Sequence, residues 1–181
     1  MFQKALLFTI ISIFINLPIF AQTQSPFIKD ALSKWKGMKS YTLQVAEVMP
    51  EEKYFYKLVD NENTFAFQLI HMANNMYGIS SKLIRGTQAP LDLKIAENAV
   101  NNRKLSKKEI IEYISKAFDY TEETFAQMTD KTLEEELDYW GGHSTKRKIV
   151  FLLNDHQTHH RGQLIVYLRL NGIKPPKYIG W

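Results

Sequence analysis

The chain contains no cysteine in 181 residues, which excludes a disulfide framework. Eight glycines and six prolines are too few for a low-complexity or loop-dominated protein. A Ser-His-Asp nucleophile pattern, a glycine-rich phosphate loop and paired catalytic carboxylates are all missing. No stretch alternates apolar and polar residues as a half-buried strand would, and no internal repeat is present. The formal charge is +4 with a pI near 9.1, yet the 23 basic and 19 acidic residues are interspersed. Clusters such as Lys107-Lys108 and Lys146-Arg147-Lys148 are short and read as solvated faces. Without a basic stripe and interleaved aromatics, nucleic acid is not an expected partner.

What is present is enough apolar material, 45% of the chain with 13% aromatic, for one domain with a sizeable core. The amino-terminal 21 residues differ in kind. Lys4 precedes an apolar run from Ala5 to Ile15, and Ala21 supplies a small residue before Gln22. That order is the pattern of a secretory signal peptide, with a run too short for a spanning helix. The sequence therefore divides into a signal peptide, 1–21, and a mature domain, 22–181. Export to a periplasmic or extracellular site is expected. A membrane anchor formed by an uncleaved signal is the alternative.

Four long helices are predicted in the mature domain. Ile28, Leu32, Trp35 and Met38 recur at helical spacing, in a helix expected from Pro26 to about Met49 and weakened near Gly37 and Tyr41-Thr42. Pro50 stops it. The second begins after Asn63-Thr64 and runs through Phe65, Leu69, Met72 and Met76 to about Ile84. Residues 86–105 form a long connection, which implies a crossover. Ser106 and Glu109 form a capping box before the third helix, which carries Ile114 and Phe118. The structure of residues 131–139 is not fixed by the pattern, and Trp140-Gly141-Gly142 reads as a turn. The fourth helix starts after Ser144 or Thr145 and ends near Leu170, with Gly172 as its stop. The apolar tail Lys177–Trp181 is expected to fold back. The fold class is all-α, a four-helix bundle with Trp35, Phe67, Leu69, Ile114, Phe118, Leu152 and Leu168 inside.

Three of the five histidines fall within Asn154–Gln163, and His156 and His160 are four residues apart. On a helix that spacing places both imidazoles on one face, one turn apart, where they can reach a single divalent ion. His159 is rotated about 60° from His156, away from His160. A third ligand is available in His71, in the middle of the apolar second helix. Helix bundles build metal sites in this way, from side chains projecting inward off facing helices. Asp155 adjoins His156 but points elsewhere on the helix.

Three features resemble the DinB family: His71 within Gln68-Leu69-Ile70-His71-Met72-Ala73, the run His156-x-x-x-His160-Arg161-Gly162-Gln163, and Pro175-Pro176 after Asn171-Gly172. The phrase Met49-Pro50-Glu51-Glu52-Lys53-Tyr54 is similar to that family's link between helices one and two. The resemblance covers roughly residues 28–178. It implies an up-down-down-up bundle in which His71, His156 and His160 hold one divalent metal, zinc or nickel. Arg161 and Gln163 are further motif positions. Some relatives transfer low-molecular-weight thiols or isomerise thiol-linked substrates. An exported chain departs from the cytosolic setting of those members.

A three-histidine ion with open positions can lower the pKa of water towards about 7 or polarise a carbonyl. The expected function is that of a metal-dependent hydrolase or thiol/small-molecule transferase. The alternative is a non-catalytic metal or ligand binder of the same fold. The expected partner is a small-molecule substrate of unspecified identity, a homodimer is open, and no stable membrane insertion follows signal cleavage.

Overall fold

The computed structural model describes residues 25–181 and is mostly helical. The leader expected over residues 1–21 lies outside the described residues. Four helices are long: α1 (Pro26–Val48), α2 (Phe65–Ile79), α4 (Lys107–Ala126) and α6 (Lys146–Leu170). Two are short, α3 (Leu93–Asn101) and α5 (Asp130–Leu133). A two-stranded antiparallel hairpin, β1 (Glu136–Tyr139) and β2 (Gly142–Thr145), precedes α6. Among the described residues, no helix is long and apolar enough to cross a membrane.

The helix ends follow local chemistry. Pro26 starts α1, where its missing N–H costs nothing, and Met49 before Pro50 is extended. Thr64 caps α2 by accepting from the Phe67 amide at 3.1 Å. α2 continues as a π-helical segment, Ser80–Arg85, closed by Gly86 at φ 68°. The left-handed residue that ends a helix is most often glycine for want of a Cβ. Ser106 and Glu109 complete their capping box on α4, and Thr145 rather than Ser144 caps α6.

α1 is unbroken, and Gly37 serves another end. A Cβ there would lie 3.3 Å from the Trp181 carbonyl carbon, because the tail crosses α1 at this point. Lys34 Nζ donates to the Gly180 carbonyl at 2.6 Å, and the Tyr178 ring meets Tyr41 edge-on at 5.9 Å. The tail folds back as its apolar composition predicts.

The core lies where α1 and α2 each pack against both α4 and α6. Trp35 is fully buried between Phe118 and Phe125, and its indole N–H donates to the Phe118 carbonyl at 3.0 Å. Burying each such aromatic contributes about 1.5–3 kcal/mol. Leu69, Ile114 and Leu168 are also fully buried. Phe67 and Leu152 are only half-buried, contrary to the pattern. Phe67 instead stacks on His71 at the edge of a cavity, with ring centroids 6.3 Å apart.

Two elements depart from the sequence reading. α3 occupies part of residues 86–105, read only as a long connection, and is capped by Asp92 accepting from the Lys94 amide at 2.9 Å. The hairpin escapes pattern recognition because its strands have four residues each and bury almost nothing. Its Trp140-Gly141 turn falls where a turn is expected.

Candidate metal centre

α2 and α6 are neighbours, and Gln157 Nε2 donates across them to the Met72 carbonyl at 3.3 Å. This contact sets the level at which the two helices meet. It brings His71 of α2 opposite His156 and His160 of α6. One ring nitrogen from each of the three lies within 4.8 Å of the other two. His71 Nε2 and His156 Nε2 are 3.2 Å apart. Two nitrogens bound to one tetrahedral ion at about 2.0–2.1 Å would stand about 3.3 Å apart, so the pair fits without rearrangement.

The proton on His160 is placed by its neighbours. Its Nδ1 faces the side-chain oxygens of Gln68 at 2.8 Å and Gln163 at 3.0 Å. Only an N–H can bond to a carbonyl oxygen, so Nδ1 carries the proton and Nε2 keeps its lone pair. Each glutamine is oriented in turn. Gln68 Nε2 donates to Glu62 at 3.3 Å, and Gln163 Nε2 to His159 Nε2 at 3.1 Å. Glu62 and His159 are therefore one step further out, fixing the amides that fix the imidazole. His156 Nδ1 is buried with no partner among the described residues, so no hydrogen bond orients that ring from the side away from His71.

All three rings are half-buried. Burial, followed by the neighbouring His160, His71 and His159, pushes the His156 pKa down to about 3. Burial and then His71 push His160 down to about 4, against the opposing hydrogen bond to Gln163. His71 is lowered by burial and raised in part by Glu97. At neutral pH the cluster presents uncharged imidazoles, the form a metal ion requires.

The other two histidines stand apart. His159 is exposed and faces Gln163, while His143 sits on β2 against Asp138 at 2.8 Å and Glu136 at 3.4 Å. Asp155 is exposed on α6 and lines a different groove, between α1 and α6. Arg161 is turned away from the cluster, with its guanidinium 5.0 Å over the Tyr41 ring.

A cavity of about 360 Å3 reaches the cluster at His71, with Phe67 and Trp140 among its walls. His156 and His160 do not line it. Reading the chain alone misses Gln68, although it lies one turn before His71 on the same helix and inside the motif that identifies it. Lys94 and Glu97 are missed because α3 itself is. Their helix has the segregated apolar and polar faces that could have revealed it, in Leu93, Ala96 and Val100.

The protein-family model of the DinB family matches residues 22–179. The chain is 25% identical over 147 residues to the uncharacterized protein YjoA of Bacillus subtilis (strain 168), covering 78% of this chain and 88% of that one. A shorter match, 37% over 54 residues, links it to the uncharacterized protein YrdA of the same organism, covering 30% of this chain and 32% of that one. Among solved structures, a DinB-like protein from Bacillus cereus ATCC 10987 superposes with a TM-score of 0.65 at 21% identity, covering 83% of this chain and 97% of that one. The DinB-like protein YjoA from Bacillus subtilis does so with the same TM-score and coverage at 22% identity. On the family match across nearly the whole described domain, this chain belongs to the DinB family.

Proposed function

We propose that the protein binds one divalent metal ion, zinc or nickel, through His71, His156 and His160, on an up-down-down-up bundle of its four long helices. The observation that carries this reading is the convergence of three imidazole nitrogens from two helices within 4.8 Å. Neutral imidazole is a good donor for both ions. An ion held there supplies Lewis acidity, enough to polarise a carbonyl or to bring the pKa of water down towards about 7. The protein's own part is to keep the three rings neutral and to aim His160 through Gln68 and Gln163. The reaction this favours is metal-dependent hydrolysis, or transfer of a thiol or another small group, on a molecule in the cavity beside His71.

Metal analysis of untagged protein, followed by calorimetric titration of zinc and nickel into the stripped form, tests the reading. Substitution of His71, His156 or His160 by Ala abolishes tight binding of one ion per chain. His143→Ala leaves it intact, and His159→Ala nearly so. Equal losses at all five histidines, or full binding without His71, would refute the assignment. A non-catalytic metal or ligand binder is the second reading, favoured by the cavity meeting the cluster at His71 alone.

Export belongs to the same proposal and is supported by Lys4, the apolar run and Ala21. Amino-terminal sequencing of protein from its natural host should begin at or near Gln22. An intact Met1 on a membrane-bound chain would favour the anchor.

A further inference from the structure

The cavity beside His71 has a direction. Its floor is one face of α2 and the π-helical segment: His71, Asn74, Gly78 and Lys82 line it in turn. His71 and Lys82 are eleven residues apart, roughly 16 Å of helix axis, so the cavity is long rather than round. α3 forms a side wall, tied down where Asn74 Nδ2 donates to the Leu93 carbonyl at 3.1 Å. Leu93 faces Gly78, since a Cβ built there would meet Leu93 Cδ1 at 3.6 Å. Trp140 closes another side from the hairpin turn, with 71% of its surface exposed.

The lining is apolar apart from His71, Asn74, Asn75 and three charged groups, Lys82, Lys94 and Glu97. Glu97 is the one acid, one helical turn beyond Lys94 on α3. Lys82 is at the far end of the floor, and Lys94 adjoins Leu93. Neither lysine has an ion-pair partner among the described residues. Two ammonium groups without carboxylate partners outnumber the single acid of the lining, and Lys82 puts positive charge at the end of the trough away from His71, where an anion is favoured.

We infer that the cavity takes a small amphipathic molecule, an apolar body ending in an anionic headgroup held by Lys82 and Lys94. The opposite, uncharged end then lies at His71, where the reading above places the chemistry. This inference rests on that reading for its functional meaning, and on the cavity alone for binding. Carboxylate and phosphate share the required chemistry.

The test uses metal-free full-length protein and four probes of equal chain length: octanoate, octyl phosphate, octanol and octylamine. Calorimetry should show octanoate, octyl phosphate or both binding about tenfold tighter than octanol, with octylamine weakest. Binding of one anion alone identifies the headgroup. Lys82→Met with Lys94→Met should bring the anions down to the octanol level. Gly78→Leu should block every probe, whereas Gly78→Ala should not, since its Cβ meets only ordinary contact.

Equal affinity for octanol and the anions would overturn the inference, as would an undiminished anion preference in the double lysine variant. Both lysines are exposed, so that variant decides the matter even if Gly78→Leu fails to fold. Zinc titration of the same proteins separates the two proposals. Loss of anion preference with zinc affinity retained is the expected result for the lysines. Absence of zinc binding in the parent protein would remove the metal reading and leave the anion site standing.

Discussion

His160 Nδ1 of α6 lies 2.8 Å from Gln68 Oε1 of α2, a bond between residues 92 positions apart. It links the helix that supplies one histidine to the helix that supplies two, and it settles which nitrogen of His160 is free. The bond also ties the ring's orientation to the spacing of the two helices.

Gln68→Ala removes one of the two oxygens that hold the His160 proton. Loss of an orienting partner of this kind typically costs a metal site about 10–100-fold in affinity. The effect should appear as a weaker zinc or nickel dissociation constant. Gln163→Ala should behave similarly, and the double variant should exceed either, because one oxygen can cover for the other. Unchanged affinity in the double variant would mean that packing alone orients His160.

His143 gives a pH dependence of definite sign. Hydrogen bonds to Asp138 and then Glu136 raise its pKa above the ordinary 6.5. The charged form is therefore favoured in the folded hairpin. Its contribution is fully present below pH 6.5 and fades as the pH rises through the higher folded value. Following the His143 ring protons by NMR should give a midpoint above 6.5 that returns to the ordinary value in Asp138→Asn with Glu136→Gln. The three side chains are exposed, so global stability should hardly respond.

The parts of the fold legible in the sequence were those where one physical signal acts alone. α4 is announced by a complete capping box, and α1 by a proline at each boundary. The His156–His160 pair follows from helical periodicity without reference to any partner. His71 was legible as a candidate because it completes the pair offered by another helix; alone on an apolar face, a histidine is more often a satisfied core residue. The missing parts depend on tertiary contact. Four-residue strands that bury little leave no alternation to read. Gln68 looks like any polar residue until α6 is placed against it. Gly37 reads as a helix-weakening residue until the tail crosses it.

Phe118 tests the packing of α1 on α4. It is fully buried, its ring lies 5.3 Å from Trp35, and its carbonyl accepts the Trp35 indole proton. Truncation to Ala keeps that carbonyl but empties the space beside the indole. The expected cost is about 3–5 kcal/mol, read from denaturant midpoints at an unchanged slope. A cost below about 1 kcal/mol would place the ring at the surface and the register of α4 would be wrong.

Arg161 separates charge from shape at the α1–α6 contact. It is 4% exposed, and its guanidinium stands over Tyr41 beneath the returning tail. No carboxylate pairs with it among the described residues, and its Nη1 is buried without a partner. Burial accordingly lowers its pKa, with Tyr41 and Tyr178 opposing. A buried cation without a counter-ion is costly, whereas its aliphatic stem packs like any long side chain. Arg161→Met keeps most of that volume and removes the charge, so stability should hold or rise by about 1–2 kcal/mol. Arg161→Ala removes the stem as well and should cost about 2–4 kcal/mol through the cavity it leaves. Zinc affinity should be nearly the same in both, because the side chain points to α1 and the histidines to α2. If Met destabilises as much as Ala, the guanidinium is held by more than the Tyr41 ring, and the charge rather than the packing keeps arginine at this position.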